Sequence, residues 1–168
     1  IEIEGSPRER GIQQGKQLKQ KIKTAFDDVF TSDLFMDMMP PLIPPKLILI
    51  ALGNFAKMKI KKSIIKHYPH LHEKMMGIVE GGKFPKYMSY ISHFVEIINM
   101  MPNLIYNEDP NKNITYSCSQ LFALQEATDD GNDYFARNYD FPNVLQAYQV
   151  LRKETPDDGY VNLNMSQY

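Results

Sequence analysis

The apolar pattern of this chain changes period just after Cys118, and that change limits the fold more than any other feature of the sequence. Before it, apolar residues recur at helical spacing, as in Tyr87, Tyr90, Ile91, Phe94, Ile97 and Ile98. After it, Leu121 to Ala127, Tyr134 to Asn138, Ala147 to Lys153 and Tyr160 to Met165 read as short strands. They are separated by Asp129-Asp130-Gly131-Asn132 and Pro156-Asp157-Asp158-Gly159, both of turn composition. Charge reverses at the same place. Residues 1–117 hold 16 basic and 12 acidic side chains and residues 118–168 hold 3 and 8, so the parts are +4 and −5 and together give the net −1. The expectation is an α+β chain of two units, 1–117 helical and 118–168 the start of an antiparallel sheet.

Several classes are excluded by the same composition. A net charge of −1 offers no electrostatic footprint for nucleic acid, and one cysteine among 168 residues allows no internal disulfide and no multi-cysteine zinc site. No integral membrane span is expected, because the longest unbroken apolar run, Leu47 to Leu52, is far short of the roughly 20 residues a spanning helix needs. The opening Ile1-Glu2-Ile3-Glu4 alternates like a strand and lacks a signal-peptide pattern, so localisation is left open and the native start is expected upstream.

Ser6-Pro7-Arg8-Glu9 reads as a capping box with proline at the first helical position, opening a helix expected to reach about Phe30. Gly11 and Gly15 share one face of it at a cost of about 1 kcal/mol each relative to alanine. Close approach of another backbone would recover that cost; a glycine-lined ligand groove is the alternative. Four prolines between Pro40 and Pro45 predict an extended link. Helices are expected over Lys46 to Lys66, His70 to Glu80 and Lys86 to Met101. Lys57, Lys59, Lys61, Lys62 and Lys66 make the first of these basic, either as a solvated face or as a contact for an anionic lipid surface or acidic substrate.

Two motif-like clusters carry little chemistry. Gly77-Ile78-Val79-Glu80-Gly81-Gly82-Lys83 approaches a phosphate-binding loop, but Phe84 stands where Ser or Thr must hold magnesium and no strand precedes it. His67, His70 and His72 are close in sequence, yet residues two apart on a helix diverge, so no metal site and no cofactor are expected.

Cys118 is different because of its neighbourhood. It follows the polar stretch Asn103 to Asn113 and opens the first strand at the charge boundary. A hairpin at Asp129 to Asn132 would return Arg137 to Asp140 beside the start of that strand. A guanidinium there would favour the thiolate, and Asp140 could orient a neighbouring donor. No histidine follows Cys118 in the chain, so a Cys-His pair would draw on the helical part.

Ser117-Cys118-Ser119 at a strand start, followed across a hairpin by Arg137-Asn138-Tyr139-Asp140-Phe141-Pro142, resembles the cysteine N-terminal-nucleophile (Ntn) hydrolases. These include choloylglycine (bile-salt) and penicillin V hydrolases, acid ceramidase and the acyl-coenzyme A:6-aminopenicillanic acid acyltransferases. The acyltransferase branch is also similar in Gly5-Ser6-Pro7-Arg8-Glu9-Arg10-Gly11 running to Gln14-Gly15, and in Glu73 to Gly82 with its Gly-Ile-Val-Glu-Gly-Gly core. A helix ending near Asn99 completes the resemblance. Ser117 stands where that branch carries glycine.

The resemblance implies a helical pro-segment followed by the first strands of an αββα sandwich, incomplete in these 168 residues, so that the chain is expected to be a fragment or an inactive truncated relative. It implies self-cleavage between Ser117 and Cys118, with α and β chains that stay associated. Catalytic roles fall on Cys118, Arg137 and Asp140, and the substrate is a small molecule with a linear amide or acyl group, split through a Cys thioester. Met36, Met38 and Met39 would either line an acyl pocket or fill core gaps. The contrasting class is a noncatalytic helical interaction module using the Lys57 to Lys66 face or the Pro40 to Pro45 link.

Overall fold

The computed structural model describes residues 1–37, 42–92, 119–138 and 147–167. The chain is α+β. A short strand β1 (Glu2–Gly5) leads into α1 (Pro7–Gln17), α2 (Lys19–Thr31) and the single turn α3 (Asp33–Met36); α4 (Pro45–His67) and α5 (Pro69–Gly82) follow. Residues 86–92 are again helical. Beyond Cys118 come β2 (Ser119–Ala123), a 3₁₀ turn at Gln125–Ala127, β3 (Tyr134–Asn138), β4 (Gln149–Pro156) and β5 (Asn162–Gln167). The rest of the expected Lys86 to Met101 helix, the polar stretch Asn103 to Asn113, Met38, Met39 and the Pro40-Pro41 pair lie outside the described residues.

The capping box forms as the sequence predicts. The Glu9 N–H donates to Ser6 Oγ at 3.4 Å and the Ser6 N–H donates to Glu9 Oε2 at 2.9 Å. The helix does not run unbroken to Phe30. It turns at Leu18, whose φ of −102° and ψ of 8° lie in the sparsely populated bridge region. The i→i−4 bonds Leu18 N–H to Gln14 O and Ile22 N–H to Leu18 O persist across the turn. The new direction buries Leu18 and Ile22 against Val150 of β4, a tertiary contact that no local signal announces.

Strand β1 makes the sheet mixed, where the sequence predicts an antiparallel one. It pairs in parallel with β4, Ile3 opposite Glu154, and β4 pairs antiparallel with β5, Arg152 opposite Asn164. Residues on both sides of the 117/118 division therefore share one sheet. Gln13 ties α1 to β1 in two-point fashion: its Oε1 accepts from the Glu4 N–H at 3.0 Å and its Nε2 donates to Glu4 O at 2.9 Å. β2 and β3 form a separate two-stranded ribbon. The expected strand to Ala127 ends at Ala123, because Asp133 Oδ1 accepts from the Gln125 N–H and Thr128 Oγ1 donates to Gln125 O and Asn132 O, closing a loop there.

Close approach of α1 and α5 explains the helical glycines. A Cβ on Gly11 would fall on Lys74 O, on Gly15 on Ile78 O, on Gly77 on Arg8 O and on Gly81 on Ile12 O, each closer than real Cβ atoms come. The phosphate-loop-like run is thus the C-terminal half of a helix packed backbone to backbone. Elsewhere the core gathers Phe30, Phe35, Leu49 and Ile91, and separately Ala56, Met75 and Tyr90, so that α4 is held between α2, α5 and the 86–92 helix.

Candidate functional site

The β2–β3 ribbon organises the region where the sequence places its chemistry. Register pairs Ser119 with Asn138, Gln120 with Arg137 and Phe122 with Phe135. The two phenylalanine rings meet at 4.9 Å between centroids, a cross-strand contact that favours this register. At the turn, Gly131 takes φ of 70°, which only glycine adopts without strain. Asp130 anchors the loop. Its Oδ2 accepts from Tyr134 Oη at 2.6 Å and from Asn132 Nδ2 at 2.9 Å, and its Oδ1 accepts from the Asn132 N–H at 3.1 Å. The Tyr134 bond, with those from Asn132, lowers the Asp130 pKa to about 2.

Of the sequence-derived site residues, Arg137 lies on β3 opposite Gln120, beside the first residues of β2, as the hairpin argument predicts. Ser117, Cys118 and Asp140 lie outside the described residues. Cys118 immediately precedes the strand in the sequence, and Asp140 follows the last paired residue, Asn138, by two positions.

Sequence reasoning missed the strongest electrostatic cluster among the described residues. Strand alternation turns Val150, Arg152 and Glu154 of β4 toward the helices, and Glu154 is only 7% exposed. Its Oε1 accepts from Lys74 Nζ of α5 at 2.7 Å. Arg152 Nε lies 2.6 Å from the same oxygen and Arg10 Nε of α1 lies 3.4 Å from Oε2. Neither guanidinium Nε meets hydrogen-bond geometry despite these ion-pair distances, so these two are charge contacts. Arg10 and Arg152 also donate elsewhere, to Gly5 O at 3.1 Å and to the buried Gln14 Oε1 at 3.1 Å.

Burial alone would raise the Glu154 carboxyl. The Lys74 hydrogen bond, the charges of Lys74 and Arg152 and the Asn164 amide outweigh it and hold the group below the usual carboxylate range. For Lys74 burial dominates, and repulsion from Arg152 and Arg10 adds to it. Its ammonium therefore sits below the ordinary lysine value even with Glu154 in contact. Three cations on one carboxylate hold α1, α5 and β4 together; the cluster presents no nucleophile. No sequence signal joins Arg10, Lys74 and Glu154, which are far apart along the chain.

A cavity of about 440 Å³ opens between the helices, lined by Lys57, Lys61 and Lys86 together with Met76, Val79 and Tyr90. His72 reaches it as well, its Nε2 lying 3.2 Å from Tyr90 Oη. This hydrogen bond gives His72 a structural partner. Neither a scan of family models nor a comparison with curated proteins finds a match to the chain.

Proposed function

We propose that the protein is a self-processing cysteine amidohydrolase or acyltransferase of the N-terminal-nucleophile type, acting on a linear carbon–nitrogen amide. The observation that carries the reading is the β2–β3 register: the strand that follows the chain's one cysteine pairs its first two residues with Asn138 and Arg137. Such a register is what the chemistry needs, since a guanidinium beside the thiol favours the thiolate.

In the proposed processing step the Cys118 thiol attacks the Ser117 carbonyl and the peptide nitrogen becomes a free amine, leaving a thioester. Water then cleaves the thioester, giving a carboxylate on Ser117 and returning the thiol. The new α-amine, with a pKa near 8, accepts the thiol proton and removes any need for histidine. In turnover the thiolate attacks the substrate amide, the amine product departs with a proton, and water or an acceptor amine resolves the acyl-thioester. Arg137 and Asp140 are assigned to positioning the substrate and the α-amine.

Association of the two chains after cleavage is supported by β1, which pairs with β4 from across the proposed scission point, and by the Glu154 cluster. A layered αββα sandwich is supported by the apolar side chains left exposed on both sheets: Leu121, Phe122 and Phe135 on the ribbon and Leu151, Leu163 and Met165 on β4 and β5. Intact-mass analysis of the full-length protein tests the proposal. Wild type should split between Ser117 and Cys118, and Cys118→Ala should stay whole. A wild-type protein that remains intact, with a Cys118 no more reactive toward iodoacetamide than free cysteine, would overturn it.

A further inference from the structure

Helix α4 buries one stripe and leaves the opposite one bare. Leu49, Gly53 and Ala56 are buried, with Leu52, Ile60 and Ile64 packed beside them. On the far side Leu47, Ala51, Met58 and Ile65 are exposed, spaced by four, seven and seven residues and hence aligned along one line of the helix. Met58 is 68% exposed, and Leu42, just before the helix, is 93% exposed. Lys61 lies on one flank of the row, and Lys59, Lys62 and Lys66 on the other, all exposed.

Charge along this stretch of the chain has a single sign. No Asp or Glu occurs between Asp37 and Glu73, whereas six lysines do. The 440 Å³ cavity beside the Lys57 and Lys61 edge of the helix adds Lys86 and Arg8, with Glu80 as the one carboxylate in its lining. Exposed apolar side chains flanked by lysines, on a helix that itself carries no carboxylate, suit a lipid interface, with apolar side chains entering the acyl boundary and lysine stems reaching back to anionic headgroups. At the same time, no described helix is long and apolar enough to cross a membrane.

We propose that α4 is a docking surface for an anionic lipid bilayer, on which it lies parallel to the plane with Leu42, Leu47, Met58 and Ile65 inserted and Lys61 and Lys62 on headgroup phosphates. A second copy docking through the same face would set lysines against lysines, whereas an anionic bilayer matches their charge along the whole helix. The inference is independent of the chemistry at Cys118.

Vesicle co-sedimentation of the full-length protein tests it, using phosphatidylcholine alone and phosphatidylcholine with about 30% phosphatidylserine. The protein should partition onto the anionic vesicles and weaken as salt rises from about 0.1 M to about 0.5 M. K61Q/K62Q should weaken partitioning about 25-fold, taking about fivefold per lysine. L47S/M58S should weaken it at least about tenfold at unchanged charge. All four positions are exposed, so far-UV circular dichroism should match wild type in both variants. Equal partitioning onto the two vesicle types, or anionic binding indifferent to both variants, would overturn the proposal. So would a dimer that L47S/M58S dissociates in a protein that ignores vesicles, which would give the face to a second copy.

Discussion

Replacing Glu154 with glutamine keeps the shape of the side chain and removes the one negative charge among Arg10, Lys74 and Arg152. These cations have side chains only 13%, 16% and 14% exposed, so water can screen them little once the carboxylate is gone. Breaking a buried ion pair by deleting one partner costs about 3–5 kcal/mol. The lower end, about 3 kcal/mol, applies here because the glutamine oxygen can still accept from Lys74 and because Arg10 and Arg152 keep their bonds to Gly5 O and Gln14 Oε1. For a chain of this size the loss corresponds to a fall of roughly 6–12 °C in Tm. Urea and thermal unfolding followed by circular dichroism give the value. Lys74→Met added to Glu154→Gln should recover about 1 kcal/mol, since burial and its two cationic neighbours already disfavour the ammonium. The deficit of Glu154→Gln should also shrink as pH rises toward 10.5, because a lysine depressed in the folded state binds fewer protons there than in the unfolded chain. A Glu154→Gln protein within about 1 kcal/mol of wild type at neutral pH would mean that the cluster behaves as solvated surface pairs, and the reasoning would fail.

Wild type should lose the Glu154 contribution on acidification: it is present above the ordinary carboxyl value of 4.5 and disappears as pH falls through the lowered folded value, measurable as Tm against pH. Gly81→Ala places a methyl on Ile12 O, and the overpacking cost of about 1–3 kcal/mol should exceed the roughly 1 kcal/mol gained in helix propensity, as urea midpoints would show. Gly131→Ala meets no neighbour, so its cost of about 1 kcal/mol should come from the positive φ alone, and Gly131→Asn should recover most of it. The Asp130 turn should hold above pH 3.8 and loosen between 3.8 and about 2, read as faster hydrogen exchange at the Asn132 amide.

Local chemistry made some of this fold legible and left the rest silent. Ser6, Pro7 and Glu9 specify a helix start within four residues, and Tyr134 to Asn138 specify a strand through β-formers bounded by Asp and Gly, so both are found where expected. The turn at Leu18, the parallel pairing of β1 and the Glu154 cluster rest on contacts between residues up to about 150 positions apart, for which a single sequence carries no pairing signal. Gly11 and Gly15 occupy an intermediate position. Their spacing announced a close backbone neighbour without naming it, and the neighbour is a helix with the same glycine spacing, Gly77 and Gly81.

That pairing changes how the family resemblance should be weighed. Two of its four elements, Gly5 to Gly15 and Glu73 to Gly82, are the two helices that meet here. Gly11, Gly15, Gly77 and Gly81 are required by backbone contact, Ser6 and Glu9 by the cap and Arg10 by Glu154, while Arg8 makes exposed ion pairs to Glu73 and Glu80. Packing therefore accounts for these residues without any catalysis, and an inactive relative would need them equally. The residues of the proposed machinery, Ser117, Cys118, Arg137 and Asp140, all lie between Ser117 and Asp140. Within that segment the ribbon's register is held, among the described contacts, by the Phe122–Phe135 pair and the Asp130 turn, so Arg137→Gln tests whether function separates from fold. It should leave Tm within about 1 kcal/mol of wild type while slowing cleavage at Ser117–Cys118 at least about tenfold. Cleavage at the wild-type rate in Arg137→Gln would remove that residue from the proposed machinery, and a large loss of stability would return it to the scaffold.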